Sequence, residues 1–470
     1  MKNIFIRLVF AAAIIWWVYL FFTTEIVVVF DSVGYEDLGK MIANQGWGEF
    51  LRHGPQREPM FPGLIALSMQ LGNWWGVSYY YPLKMIGILF LFLTMIFSYR
   101  LMTMLTIRPF IVALTILYMG ISPVMTNSSM RLWSEFAAYP WVVLAVIWTI
   151  KSWQYLNGVS DDRRTNIKLI GHALMLAVMF LLIMSVKAVA EGVLIFYLWP
   201  FYWRVFSYWR AKNFTKARQV AGFCLAVLLV FEGGVCAYKA LNYHYNGHFV
   251  FTTRGDWALY GNTERRMEPL TPRRLGAAVA YVPGMGICEA IFTQDECDFW
   301  SARHSDDIIG QKQAELNAQG ITGDAASRYF ILSSAKMILS NPLQAMLLMF
   351  VEAHKMFFWE SSIAFVTYPD WLENIVYSPW CTVVLKAVVA FFSWIACVFA
   401  FCFLFCNPGK PSLIDDQQQQ TILWIFNFIF WFTAMYALFF ILDRYAFPLI
   451  SLYMVLIAFM LDKISRFRIR

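Results

Sequence analysis

Apolar residues in this chain gather into long runs broken by short polar connections. The runs fall near residues 7–30, 80–103, 109–122, 132–150, 168–186, 189–203, 219–241, 380–405, 421–441 and 446–461. Several exceed the roughly 18 apolar residues that a helix needs to cross a bilayer. They predict an all-α polytopic membrane protein, a bundle of about ten transmembrane helices. The first run is too long for a signal peptide, and no small-residue cleavage site follows it, so it reads as a retained first helix.

The polar connections alternate in charge. Basic residues cluster at Lys2 and Arg7, at Arg100 and Arg108, at Lys151, Arg163, Arg164 and Lys168, and at Arg204, Arg210, Lys212, Lys216 and Arg218. Lys410 and the tail residues Lys463, Arg466, Arg468 and Arg470 complete the series. With ten alternating helices these fall on one side. The positive-inside bias makes that side cytoplasmic, with both termini there.

The opposite side then receives two substantial segments. In residues 31–79, Tyr35–Gln45 and Gly63–Leu71 are amphipathic and predict short helices lying along the surface. Residues 242–379 predict a small extracytoplasmic cap, with a helix over Ala325–Leu339 stopped by Asn341-Pro342. Within it, residues 342–359 are apolar but short and contain Glu352, His354 and Lys355. An eleventh crossing there would put the basic tail outside, so this stretch reads as an interfacial or partly inserted helix. Three parts follow: a membrane module over 1–241 including the first outer loop, the cap over 242–379, and C-terminal transmembrane helices over 380–470.

Composition agrees with this reading. The 470 residues are 60% hydrophobic and 14% charged, against roughly a quarter charged in soluble proteins. Aromatics at 18% suit many lipid–water boundaries. The net charge of +7 is informative by position and does not indicate a nucleic-acid partner. Six of the eight cysteines lie in or beside apolar helices, whereas Cys288 and Cys297 sit in the polar cap, where an extracytoplasmic disulfide is permitted. No internal repeat, phosphate-binding glycine loop, dinucleotide fingerprint or zinc-peptidase motif is present, which argues against an ATP-driven pump core and a zinc peptidase.

Polar groups recur at the outer helix ends. Asp31 follows the first apolar run; Arg131, Ser134 and Glu135 open the fourth helix; Lys187 joins the fifth to the sixth; and Arg444 and Tyr445 lie between the last two. Each has a plain structural explanation, such as a local ion pair of Lys187 with Glu191 or an Arg444 that snorkels to lipid. Together they point to a shared cavity, because charges near bilayer depth tend to face one another or water. A carboxylate among cations suits transfer from a phosphate leaving group. The acid accepts a proton from an incoming hydroxyl, and Arg57, Arg131, Lys187 or Arg444 neutralises the departing phosphate.

In order, Asp31, Tyr35, Arg57, Pro59 and Pro62, then Ser134-Glu135, then Arg444-Tyr445 and Pro448, resemble the GT-C superfamily, the polytopic glycosyltransferases that include protein mannosyltransferases and aminoarabinose transferases. The resemblance covers 1 to about 240 and 380 to 470. It implies a GT-C-like bundle and an inverting transfer from a polyprenyl-phosphate-linked sugar, undecaprenyl in a bacterium, at the outer face of the inner membrane. Asp31 would be the base, and the acceptor an envelope glycan, lipid or protein. Many relatives carry a second acid beside the first; here Ser32 stands in its place, and Glu36 or Asp37 one turn on would substitute. No cofactor is expected, and the sequence gives no support for a divalent metal. Other readings are a lipid-carrier polysaccharide polymerase or ligase, a flippase for lipid-linked sugars, and a non-catalytic envelope scaffold.

Overall fold

The computed structural model describes residues 2–158, 163–282, 284–360, 366–405, 416–439 and 441–467. Lys410 lies outside them. Helix α1 (Lys2–Thr23) has 22 residues, about 33 Å at 1.5 Å per residue, which matches a hydrocarbon core of about 30 Å. It stops earlier than the apolar run, which continues to Phe30. The hydroxyls of Thr23 and Thr24 donate back to the carbonyls of Tyr19 and Leu20, at 2.8 and 2.6 Å. The Lys84 ammonium donates to the carbonyls of Phe21 and Thr24. The last carbonyls of the helix are thereby satisfied without another turn. The β-branched residues beyond turn extended, and Glu25–Ile26 pairs antiparallel with Val366–Thr367. Asp31 therefore opens the next helix instead of closing the first.

That helix, α2 (Asp31–Gln45), buries Tyr35, Leu38 and Ile42, an i, i+3, i+7 stripe. Short α3 (Trp47–His53) and α4 (Met60–Trp75) follow. Gly39 lets α2 lie directly on α4, since a methyl group there would collide with Ile65. Helix α5 (Tyr80–Met104) returns across the bundle. Next, α6 (Pro109–Ile121) and α7 (Pro123–Ser129) form one traverse bent by 50° at Ser122-Pro123. Gly87 of α5 sits against the Ser129 carbonyl at the end of α7, with no room for a side chain.

A 3-10 turn over Glu135–Ala138 leads into α8 (Tyr139–Gly158), so the fourth traverse starts and ends later than its apolar pattern suggests. After α9 (Arg163–Met184), the stretch expected as one helix over 189–203 is broken at Leu198 into α10 (Ala190–Tyr197) and α11 (Trp199–Arg210). The 33-residue α12 (Phe214–Asn246) climbs back and projects into the cap.

The cap comprises α13 (Arg254–Met267), α14 (Pro272–Tyr281), α15 (Met285–Glu289), α16 (Gln294–Asp298), α17 (Ala302–Ala318), α18 (Gly323–Ser340) and α19 (Pro342–Ala353). Cys288 and Cys297 are joined by a disulfide beside Phe299 and Trp300. Helices α18 and α19 meet at 104°. Glu352 of α19 is fully buried between Arg265 and Arg266 of α13. Arg266 also donates to the carbonyls of Ala437 and Leu438, at 2.6 and 3.0 Å. Residues 342–353 thus pack against the cap-side end of α22.

After α20 (Asp370–Val376), the chain closes with α21 (Lys386–Phe405), α22 (Asp416–Phe439) and α23 (Ile450–Phe467). Among the described residues, eight helices are long and apolar enough to cross a membrane, or up to ten if each of two bent pairs is one span. One of those pairs is α6–α7. The other is α18–α19, bent by 104°. Arg108 meets Asp462 at 2.9 Å and Gln418 donates to Leu105 at 2.8 Å, which ties the α5–α6 connection to the start of α22 and to α23. The cap lies against the opposite end of α22.

Candidate functional site

Five separate pieces of chain converge at the cap end. Asp31 sits in the first turn of α2, where the helix dipole favours a carboxylate. Just before it, Phe30 holds φ at 52°, a conformation that costs on the order of 1–3 kcal/mol in a non-glycine residue. Arg57 comes from the loop before α4. That loop is tied to the end of α9 by Met60 N–H donating to Ser185 C=O at 3.0 Å. Glu135 opens the 3-10 turn before α8, Lys187 follows α9, and Arg444 lies in the turn before α23.

Asp31 is held by two cations, one on each oxygen. Arg57 Nη2 donates to Oδ1 and Arg444 Nη2 to Oδ2, both at 2.5 Å. Burial alone would raise the carboxyl pKa, but the Arg444 and Arg57 charges win and hold it well below the usual carboxylate range. Behind this pair, Lys187 Nζ donates to Glu135 Oε1 at 2.9 Å, and Arg444 Nε stands 3.8 Å from the same oxygen. Burial pulls Lys187 down, yet the Glu135 charge leaves its pKa above the ordinary lysine value. Aromatic faces hold the cations in place: Arg57 lies 4.6 Å from the Tyr35 ring, Arg444 4.9 Å from Trp133, and Lys187 5.3 Å from Tyr445. Tyr445 stacks on Tyr436.

These groups line one cavity of about 420 Å³, with Glu58, Glu191, Lys239, Phe249, Phe251, Ala258 and Phe439 among its other walls. Its size and mix of apolar walls with a few convergent charges suit a small polar headgroup. Among the described residues no group of three or more His, Cys, Asp or Glu side chains is arranged to hold a metal ion.

Asp31, Tyr35, Arg57, Glu135, Lys187, Arg444 and Tyr445 are therefore brought together. Three expected residues are not. Arg131 is 1% exposed and lies behind Trp133, its guanidinium 3.5 Å from that ring and 5.7 Å from Phe447; Trp133, not Arg131, faces the cavity. Glu36 turns away to the Tyr79 hydroxyl and pairs with Lys40 at 2.8 Å. Asp37 is exposed and lines no part of the cavity. Ser32, in the place of a neighbouring acid, is buried and bonded to Val29. The local Lys187–Glu191 pair does not form either, since Glu191 meets Lys239 of α12 instead, at 2.9 Å.

Sequence reasoning passed over Glu58 and Lys239. Glu58 Oε1 accepts the Ala188 N–H at 3.2 Å and bridges the Arg57 loop to the start of α10. Its signal was an acid beside Arg57 and before Pro59. Lys239 and Glu232 are the two charges in the apolar run over 219–241, and charges so placed mark function.

No family model matches the sequence, and no curated protein matches it. The chain is similar to a solved structure of the archaeal oligosaccharyltransferase AglB from Archaeoglobus fulgidus, in complex with an inhibitory peptide and a dolichol-phosphate, at 11% identity and a TM-score of 0.47. The match covers 99% of this chain and 51% of that one, so the chain spans about half the length of that protein.

Proposed function

We propose that this chain is an integral-membrane glycosyltransferase of the GT-C type. It moves a sugar from a polyprenyl-phosphate carrier to a hydroxyl of a cell-envelope glycolipid, polysaccharide or protein. One observation carries the reading: a carboxylate held between two guanidinium groups, with an ammonium in the same cavity at one end of a transmembrane bundle.

The chemistry divides among these residues. Asp31 takes the proton of the acceptor hydroxyl while that oxygen bonds to the anomeric carbon. The bond from that carbon to the phosphate oxygen breaks, and the extra negative charge on the leaving phosphate is neutralised by Arg57, Arg444 and Lys187. Attack opposite the leaving group inverts the anomeric centre. With both oxygens occupied, Asp31 is a weak base at rest. An arriving phosphate competes for Arg57 and Arg444, frees a carboxylate oxygen and restores its basicity. Charge neutralisation is assigned to the protein's own cations, with no metal and no cofactor.

The basic tail and connections at the terminal end, and the disulfide in the cap, support an orientation with the termini cytoplasmic and the site on the extracytoplasmic face, the periplasmic side of a bacterial inner membrane. The carrier there is undecaprenyl phosphate.

The test uses the purified protein in nanodiscs with lipid-linked sugars and an envelope fraction from the same cells. Free polyprenyl phosphate should accumulate together with glycosylated acceptor. Absence of both, with intact protein, rejects the proposal. Transfer of lipid-linked sugar across a sealed bilayer without release of free carrier assigns the chain to transport instead.

A further inference from the structure

The cavity holds a second ion pair that the transfer chemistry does not use. Lys187 and Glu191 are four residues apart, yet they turn to different partners, Lys187 to Glu135 and Glu191 to Lys239. Glu191 lies in the first turn of α10 and Lys239 seven residues before the end of α12. Ile195 and Phe196, on the same short helix as Glu191, are exposed in the way lipid-facing residues are. An ion pair that near the bilayer is costly unless it is put to use.

Its surroundings differ from those of Asp31. Three cations line the cavity around Asp31. Lys239 is a single ammonium, already neutralised by Glu191 at 2.9 Å. The pair offers a carboxylate acceptor and an ammonium donor side by side, as vicinal hydroxyls require. Phe249, Phe251, Gly255 and Ala258 line the same cavity as the pair. Phe251 is fixed by Tyr238, with ring centroids 4.7 Å apart. The Phe249–Thr252 segment is anchored at both sides, by Asn242 donating to the Val250 carbonyl at 2.8 Å and by Thr253 N–H donating to Pro55 C=O at 3.0 Å. That second bond braces it against the loop that carries Arg57.

We propose that Glu191 and Lys239, in the cavity that Phe249 and Phe251 also line, form the subsite that recognises sugar hydroxyls, and that the pair determines carbohydrate specificity while Arg57, Lys187 and Arg444 hold the phosphate. This rests on the glycosyl-transfer reading. The ligand class is a sugar ring with free hydroxyls, carried by the lipid-linked donor or by a glycan acceptor.

Binding is measured on the full-length protein in nanodiscs with three probes: undecaprenyl phosphate, undecaprenyl-phosphate-linked sugars, and soluble oligosaccharides. Glu191→Gln and Lys239→Gln should each weaken a sugar-bearing probe by about tenfold, the worth of one lost charge-assisted hydrogen bond. Undecaprenyl phosphate should change by less than about twofold. Loss confined to the carrier-linked sugar assigns the subsite to the donor, and loss confined to the soluble glycan assigns it to the acceptor. The reversed pair, Glu191→Lys with Lys239→Glu, should regain thermal stability but not sugar affinity; recovery of both makes the pair a helix brace and overturns the proposal. It is equally overturned if the variants weaken undecaprenyl phosphate as much as the sugar, or if the wild-type chain prefers no sugar-bearing probe to the bare carrier. Failure of the wild-type chain to bind undecaprenyl phosphate at all would instead remove the glycosyltransferase reading.

Discussion

Asp31→Asn separates the two duties assigned to this carboxylate. The amide has nearly the same shape but a single acceptor oxygen, so it keeps one of the two guanidinium contacts that Arg57 and Arg444 make at 2.5 Å in the native chain and releases the other. It cannot take a proton. A positioned general base contributes about 10²–10⁴-fold, so turnover should fall by that factor, a barrier increase of about 3–5 kcal/mol. Carrier binding should move the other way. In the native chain, phosphate must draw the guanidiniums away from a carboxylate. In the variant it meets two cations released from their counter-ion, and affinity for undecaprenyl phosphate should hold or rise by up to about tenfold, near 1.4 kcal/mol. Turnover is followed by free polyprenyl phosphate, and affinity by equilibrium binding of radiolabelled carrier in nanodiscs. A variant that keeps more than a tenth of wild-type turnover, or that loses carrier binding along with it, refutes this assignment.

Other expectations follow from the same geometry. Arg444→Lys keeps the charge but cannot reach both Asp31 and Glu135 as the planar guanidinium does, so KM for the carrier should rise about tenfold with a smaller change in kcat, read from steady-state kinetics; an unchanged KM would count against a phosphate role. Because the folded pKa of Asp31 is depressed, its ion pairs stabilise the protein above the unfolded carboxyl pKa near 3.9 and are lost as pH falls through the lower folded value. The gap in melting temperature between wild type and Asp31→Asn should stay flat from pH 8 down to about 4 and close only below that; a gap already closing near neutrality contradicts the two-guanidinium clamp. Glu352→Gln leaves Arg265 and Arg266 buried without their anion and should cost about 3–5 kcal/mol, seen as early proteolysis within residues 254–353. Gly87→Ala forces a methyl group into the Ser129 carbonyl and should cost about 1–3 kcal/mol in thermal unfolding; wild-type melting would show that α5 and α7 are not in contact.

Much of the architecture can be read from hydropathy and charge, because lipid forces each crossing to be helical and basic residues mark every second connection. The departures occur where side chains override the apolar pattern. Residues 24–30 are apolar enough to prolong α1, but Lys84, 60 residues away, caps the helix and frees Asp31 to begin another. Glu36 has the right spacing from Asp31 for a second acid, yet Tyr79 draws it elsewhere. Arg131 has the right charge but the wrong side of Trp133. Burial direction on such short irregular turns depends on tertiary contacts, which a single chain read in order does not contain. The convergence of Asp31, Lys187 and Arg444 was legible because all three follow or precede apolar runs on the same side, and Arg57 lies in the outer segment that Asp31 opens. Glu58 and Lys239 were hidden by neighbours that had stronger individual signals.

The Arg265–Glu352–Arg266 cluster constrains how a bulky lipid headgroup gains entry. Lifting α13 and α19 off α22 would strip Arg266 from the carbonyls of Ala437 and Leu438 and strand charges in an apolar setting. That side of the cap behaves as a hinge pin. Entry of a headgroup therefore has to leave the contact of α13 and α19 with the end of α22 intact.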